Sequence, residues 1–155
     1  MPITSNLKPA DIRAMINERV ERKKQALFVR LFYIAEECLN NARKSHSHKY
    51  KVQTGNLTSS INYCIIDNGE IVKAGEWKAT PGTENGKKGM EKGMEYLRQM
   101  ADAQPQDGIT FLMVAGMPYA KYVEAMSLDV LETSEDMAAR KIKAMIHKLL
   151  TTGSK

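Results

Sequence analysis

Three histidines are the residues of this sequence best suited to metal chemistry. His46 and His48 flank Ser47 in a basic stretch, and a His-x-His pair can hold a metal ion when a third ligand arrives from elsewhere in the chain. No convincing third ligand stands in the sequence, and His147 has no carboxylate or histidine four residues further on. A plain solvated loop explains the pair as well, so we expect no metal and no cofactor.

Nucleophilic and acid-base catalysis lack a complete set of residues. The chain contains no Gly-x-Ser-x-Gly elbow, no P-loop and no Gly-x-Gly-x-x-Gly fingerprint. The candidate acids and bases are scattered, and no two of them stand at a spacing that indicates one cleft: Glu76, Glu124 and Asp129. We therefore expect the protein not to be an enzyme and assign no catalytic residue.

The composition is that of one ordinary domain. Its 155 residues, 43% of them hydrophobic, suffice for a single core, so we treat residues 1–155 as one domain. The formal charge of +5 permits DNA contact, but it bears first on solubility and association. Cys38 and Cys64 lack CxxC spacing and are interpreted as buried, reduced thiols. Without a signal peptide or a long apolar run, we expect a cytoplasmically made protein with no membrane contact.

Helical periodicity is strongest at the two ends of the chain. Apolar residues recur at helical spacing over residues 11–43, from Ile12 through Leu27 to Cys38. The nearly all-charged residues 19–24 indicate either a solvated helix face or first turns that project past the core toward a partner. A last helix is predicted to begin near Thr133 or Ser134, either of which can cap it.

Strand patterns fill the middle of the chain. Residues 57–66 and 71–75 form a predicted hairpin around Asn68-Gly69, and residues 109–115, apolar on both faces, are predicted to be the central strand. Residues 128–131 suggest a brief fourth strand. The element order predicts an α+β fold of two layers: a mainly antiparallel sheet of about four strands, with the long N-terminal helix and the C-terminal helix packed on one face.

A glycine-rich insertion, at about residues 77–105, separates the hairpin from the predicted central strand. Residues 78–88 are interpreted as an exposed, mobile loop whose tip has little to bury, and a short helix follows before Pro105. Gly86, Gly89 and Gly93 open that helix and could cradle phosphate, but no strand directly precedes them. We interpret these glycines as a source of mobility.

Two segments carry a resemblance to a bacteriophage family. Residues 53–61 are Gln-Thr-Gly-Asn-Leu-Thr-Ser-Ser-Ile, and residues 118–124 are Pro-Tyr-Ala-Lys-Tyr-Val-Glu. They resemble the Thr-Gly-x-Leu-x-x-Ser-Ile and Tyr-Ala-x-Tyr-Val-Glu signatures of the tail-component family of long-tailed double-stranded DNA phages. The signatures stand in the family's order, after a long first helix and before a last helix. The chain departs from the family in lacking a glycine soon after Glu124 and in its longer insertion.

The resemblance implies a structural virion protein that joins the head connector and the tail at the neck. Such a protein is made in the host bacterial cytoplasm, assembles as a ring and contacts connector and tail-tube proteins, while nucleic acid is a secondary partner. We expect the interface residues to be those of the two signatures and of the loop: Thr54, Gly55, Leu57, Ser60, Tyr119, Tyr122, Glu124, Lys78, Lys87 and Lys88.

Other interpretations of the same residues stay open. A small DNA-associated module would contact the phosphate backbone through the basic stretch and its aromatic residue, which comprise Lys44, His46, His48, Lys49, Tyr50 and Lys51. A small hydrolase would be built around His46 and His48. The signature residues also have structural explanations, since Gly55 frees a turn while Leu57 and Ile61 bury on one face of a strand.

Overall fold

A computed structural model describes residues 8–44 and 52–151 of the chain. The elements are α1 (Pro9–Arg43), α2 (Asn56–Ser59), β1 (Ile61–Asp67), β2 (Glu70–Ala74), α3 (Lys87–Asp102), β3 (Ile109–Ala115), α4 (Ala120–Ala125) and α5 (Glu132–Thr151). The predicted α+β class, long first helix and C-terminal helix are confirmed. The metal, DNA and hydrolase hypotheses depend on residues 46–51, which lie outside the described residues.

The sheet has the strand order β2-β1-β3, with both pairs antiparallel. The prediction that residues 109–115 form the central strand is wrong, because β3 pairs with β1 only and β1 holds the centre. In the described part of the chain there are three strands rather than about four. Residues 128–131 form no strand beyond a single bridge residue at Asp129, and the apolar pattern there reflects burial of Val130 in the core.

Helices cover both faces of the sheet, so the prediction of two layers with helices on one face is wrong. One face of β1 packs against α1 and presents Ile61, Tyr63 and Ile65. The opposite face packs against α3 and presents Cys64 and Ile66. Successive residues of a strand point to opposite faces, so β1 is buried along almost its whole length. Coverage on both faces also explains why β3, an edge strand, is apolar at every position except Thr110.

Asn62 is a polar residue of β1 that the alternating sequence pattern places on a solvent-facing side, although both sides of the strand are covered. Its position in the alternating pattern indicates exposure, yet the side chain is 0% exposed. The Asn62 Nδ2 group donates to the carbonyl of Gly75 at 2.9 Å, and Oδ1 accepts the N–H of Tyr63 at 2.9 Å. A buried amide with satisfied hydrogen bonds is compatible with a covered face.

The hairpin between β1 and β2 is confirmed. Asn68 and Gly69 both have positive φ angles, 49° and 83°, as the tightest hairpin turns require. All five residues of β2 are exposed, since β2 is the other edge of the sheet.

α1 and α5 pack side by side and run in opposite directions. Near the start of α5, the buried Ser134 Oγ donates to the carbonyl of Cys38 at 3.2 Å, and near its end Lys23 Nζ donates to the carbonyl of Leu149 at 3.4 Å. Ser134 therefore joins the two helices instead of capping α5. The N–H of Thr133 is bound by Asp129 Oδ1 at 3.0 Å, so the cap comes from a residue before the helix.

The first turns of α1 extend past the core, as one of the two interpretations of residues 19–24 expects. Every residue from 8 to 23 is exposed, including Ile12, Ile16 and Val20, although the periodic pattern groups these three with core residues. Neither α1 nor another helix in residues 8–44 and 52–151 combines the length and the apolar character that crossing a membrane requires.

Candidate functional site

The two signature segments meet in space. Ser60, the residue before the last of the first signature, donates its hydroxyl to the carbonyl of Leu57 at 2.7 Å and accepts the N–H of Met117 at 3.3 Å. The carbonyl of Ser60 also accepts the N–H of Gly116 at 3.1 Å. Because β1 and β3 are antiparallel, the start of β1 lies beside the end of β3. The chain that leaves β3 therefore carries the second signature alongside the first.

Between the two signatures lies a groove with a volume of about 600 Å³. Its two walls come from residues 52–58 and residues 119–128, namely Val52, Gln53, Thr54, Gly55, Leu57, Thr58, Tyr119, Val123, Met126 and Leu128. Four of the predicted interface residues are thus brought together: Thr54, Gly55, Leu57 and Tyr119. The wall residues are mainly apolar with a few polar groups, a composition that suits the binding of apolar side chains.

Gly55 shapes the first wall. Its φ angle of +79° lies in the left-handed region, and a Cβ atom there would stand 2.2 Å from the carbonyl oxygen of Thr80. Both the backbone conformation and the close approach of residue 80 therefore favour glycine. The short helix α2 begins directly after Gly55, so the strand predicted from residue 57 starts instead at Ile61.

The segment predicted to be a mobile loop is anchored to this wall. The N–H of Thr83 donates to the carbonyl of Gln53 at 3.0 Å, and the N–H of Thr80 donates to Ser59 Oγ at 2.7 Å. The backbone carbonyl of Thr54 accepts the N–H of Glu84 and of Gly86, both at 3.3 Å. Most side chains of residues 78–88 are exposed as predicted. The exposure agrees with the prediction that the tip has little to bury, while the backbone of the segment supports the groove wall.

Asn56 fastens the same segment from the inside. The residue is buried, and its Nδ2 donates to Glu84 Oε2 at 2.5 Å while its Oδ1 accepts the N–H of Gly89 at 3.0 Å. One side chain thereby joins the first signature, the inserted segment and the start of α3. The two hydrogen bonds that the Asn56 amide makes in opposite directions have no signature in the sequence.

The glycines of α3 serve close packing, so their interpretation as a source of mobility is wrong. A Cβ atom on Gly89 would lie 1.9 Å from the carbonyl oxygen of Asn56, and one on Gly93 would lie 2.7 Å from that of Ser60. Gly89, Gly93, Leu97 and Ala101 are the buried residues of α3. Their spacing of four residues places them on one face of the helix, and this spacing in the sequence already indicates a packing role.

The other predicted interface residues of the signatures are either exposed near the groove or hydrogen-bonded within the chain. Tyr122 is 72% exposed beside the groove, while Tyr119 is 38% exposed on its wall. Glu124 Oε1 accepts the N–H of Leu131 at 3.1 Å and that of Glu132 at 3.2 Å. A carboxylate at the first turn of a helix satisfies otherwise unpaired N–H groups. Glu124 therefore caps α5, and the fully buried Ser60 likewise acts within the chain.

The three predicted interface lysines lie away from the groove walls. Lys78 pairs with Glu76 at 2.9 Å between Nζ and Oε2, and both side chains are exposed. Lys87 and Lys88 stand exposed at the start of α3. The structure therefore does not bring these lysines together with Thr54, Gly55, Leu57 and Tyr119 around the groove.

The buried ionisable groups belong to the core. Burial raises the pKa of the Cys64 thiol to about 11 and also raises the pKa of Cys38. Burial, followed by a 2.6 Å hydrogen bond to Glu36 Oε1, raises the pKa of Tyr63. Among the residues that the structure describes, no three histidine, cysteine or acidic side chains converge as a metal site. The described groove walls hold no carboxylate, histidine or thiol.

We compared the chain with protein-family models, curated proteins and solved structures, and none matched. The family resemblance therefore depends on the two signatures.

Proposed function

We propose that this protein is a structural virion protein of a long-tailed double-stranded DNA bacteriophage, where it joins the head connector to the tail as a tail-completion component of the neck. It acts by ring assembly and by contact with connector and tail-tube proteins, without catalysis. It is made in the host bacterial cytoplasm and becomes part of the virion. The observation that carries the proposal is the single groove formed by the two signatures, which are far apart in sequence.

The surface around this groove has the character of a protein-protein interface. Tyr119, Tyr122 and Met126 are exposed at or beside the groove. Tyrosine and methionine are enriched in protein interfaces, where they contribute large contact areas. Methionine also adapts to irregular surfaces because its side chain is unbranched and flexible. An apolar side chain from a neighbouring virion subunit would bury against these residues.

The frame of the groove supports the same proposal. Gly55 and Asn56 hold the first wall against the inserted segment, while Glu124 holds the end of α4 against α5. A wall held by internal hydrogen bonds needs less ordering when a partner binds, so less of the binding free energy is lost to entropy. Several signature residues thus hold the groove walls in place, and this keeps the binding surface in the shape that a partner subunit would contact.

The test is binding of the purified protein to the connector and tail-tube subunits of the phage or prophage that encodes it. Met126→Glu places a charge in the groove, while Ala125→Glu makes a matched change at an exposed neighbour outside the groove walls. We expect wild type and Ala125→Glu to form a stoichiometric complex, and Met126→Glu to bind at least about tenfold more weakly. Rings in electron micrographs of the complex would support the assembly mode.

Two results would contradict the proposal. One is failure of the folded wild-type protein to bind either subunit at any concentration. The other is equal binding by both variants, which would show that the groove is not the contact surface.

A further inference from the structure

Residues 9–22 of α1 form a projecting arm. Every residue of the arm is exposed, and the nearby end of α5 is marked by the hydrogen bond from Lys23 Nζ to the carbonyl of Leu149. At about 1.5 Å per helical residue, the arm extends roughly 21 Å beyond this point. The arm therefore consists of several helical turns that extend beyond the hydrophobic core.

One face of the arm carries an apolar stripe formed by Ile12, Ile16 and Val20, which are 44%, 54% and 55% exposed. At about 100° per residue these positions fall on the same side of α1 as Leu27, Ile34 and Cys38. Those three residues belong to the cluster between α1 and α5. The surface that α5 covers thus continues uncovered along the arm, and an exposed apolar surface of this kind marks an interaction site.

We propose that the arm binds the arm of a second copy of this chain, as an antiparallel pair with two-fold symmetry. The last turn of α5, which ends at Thr151, lies beside about residues 21–23 of α1, so a second arm on the same stripe begins beyond that point. Pairing about the midpoint between Ile12 and Ile16 meets this condition and places Ile12 of each arm beside Ile16 of the other. The second arm then runs in the same direction as α5, begins where α5 ends and covers the stripe over residues 9–19.

The charges at the helix ends favour this direction. The C-terminal end of α5 carries the negative end of a helix dipole, and the N-terminal end of a second arm carries a positive end, so their head-to-tail approach is attractive. Asp11 in the first turn of the arm and Lys148 in the last turn of α5 have opposite charges. A parallel pair would instead bring two Asp11 carboxylates and two positive helix ends together.

The pairing goes beyond the proposed function and does not depend on it. The arm and the groove lie at opposite ends of α1, because Arg43 at the far end donates from Nη2 to the carbonyl of Ile61 at 2.7 Å. Ile16 and Arg43 are separated by roughly 40 Å along the helix. Two copies joined by their arms therefore keep both grooves accessible, and variants of one surface leave the other unchanged.

The first test measures the mass of the full chain by sedimentation velocity over a concentration series. We expect a reversible complex of two copies. Ile16→Glu should raise its dissociation constant by about a hundredfold or more, because each substitution acts twice across a two-fold interface. Ala14→Glu places the same charge on the opposite face of the arm and should leave the constant nearly unchanged. Circular dichroism should show both variants folded, since both positions are exposed.

The second test fixes the direction of the pair. Ala10→Cys and Thr151→Cys lie roughly 17 Å apart along the α1 axis within one chain, too far for a short bismaleimide reagent, and both native cysteines are buried. We expect the double variant to form a covalent dimer and Ala10→Cys alone to stay uncross-linked. Deletion of residues 1–7 should leave the dissociation constant unchanged.

Several outcomes would overturn the pairing. They are a wild-type monomer at every concentration, equal weakening by Ile16→Glu and Ala14→Glu, and cross-linking of Ala10→Cys alone as efficiently as the double variant. A wild-type monomer that dimerises only after deletion of residues 1–7 would show that these residues cover the stripe.

Discussion

Gly55 and Gly108 separate two reasons for the presence of a glycine. Both have a φ angle of +79°, so each avoids the strain that a side chain suffers in the left-handed region. A Cβ atom on Gly55 would collide with the Thr80 carbonyl oxygen at 2.2 Å, whereas nothing lies within 4 Å of one on Gly108. The signature glycine is therefore constrained by its neighbour as well as by its backbone.

Replacing each glycine by alanine measures these two effects. We expect Gly108→Ala to cost about 1 kcal/mol from backbone strain alone. Gly55→Ala should cost about 3 kcal/mol or more, because a collision with backbone is added to the same strain. Urea unfolding of both variants gives the comparison. Equal losses of stability would show that residues 80–82 move aside and do not constrain the groove wall.

At the scale of elements, Asn56 decides how the inserted segment is held. Its amide donates to Glu84 and accepts from the backbone of Gly89, so it joins α2, the segment at residues 78–88 and α3. Removing the segment would take Glu84 from the buried Asn56 and the N–H of Thr80 from the buried Ser59.

A double-mutant cycle tests this junction. Asn56→Asp should destabilise the protein by about 2–3 kcal/mol, because a second carboxylate would replace the amide donor that faces Glu84. Adding Glu84→Gln should recover a large part of that loss, since the glutamine amide can donate to the new aspartate. Chemical denaturation of the two single variants and the double variant gives the coupling. Additive effects would mean that the two side chains do not interact.

At the scale of the whole molecule, burial on both sides of the sheet links stability to pH. The Cys64 thiol has an ordinary pKa of 9.0 and a folded-state pKa of about 11. The folded state therefore holds its proton more strongly, and this contribution is fully present below pH 9 and lost as pH rises to about 11. Its full size is on the order of 3 kcal/mol.

Urea unfolding between pH 7.5 and 11 checks this expectation. The wild-type free energy of unfolding should fall above pH 9, and Cys64→Ala should fall less steeply over the same range, although its stability at neutral pH is lower because a cavity replaces the thiol. Burial of Cys38 and Tyr63 acts in the same direction and leaves a residual slope in the variant. Identical slopes for the two proteins would show that Cys64 does not titrate as proposed.

The molecule as a whole presents two different surfaces at its two ends. The groove is concave and framed by internal hydrogen bonds, whereas the arm is a convex helix with an apolar stripe. Separate surfaces permit separate contacts, so binding to other virion subunits and pairing between copies are distinct proposals with distinct variants. Loss of one by mutation should leave the other measurable.

The sequence by itself determined the secondary-structure elements that depend only on residues close together in the chain. The Asn68-Gly69 turn follows from the tolerance of these residues for positive φ, and α1 follows from apolar spacing sustained over many turns. The two end helices and the hairpin were predictable for this reason. Of the candidate site, the two signatures could be identified in the sequence, whereas the groove that they form together could not.

Only the tertiary structure decided which surfaces are covered and by what. Ile16 and Ile34 share one helical pattern, yet Ile16 is exposed and Ile34 is buried, because α5 ends between them. Asn62 and Gly89 look solvent-facing or flexible in sequence, yet one satisfies its amide in the core and the other admits a neighbouring backbone. A pattern of apolar residues indicates that one face of an element tends to be buried. It does not indicate which element covers that face, because the covering residues lie far away in the chain. The groove therefore became visible only once antiparallel pairing of β1 and β3 had placed the two signatures side by side.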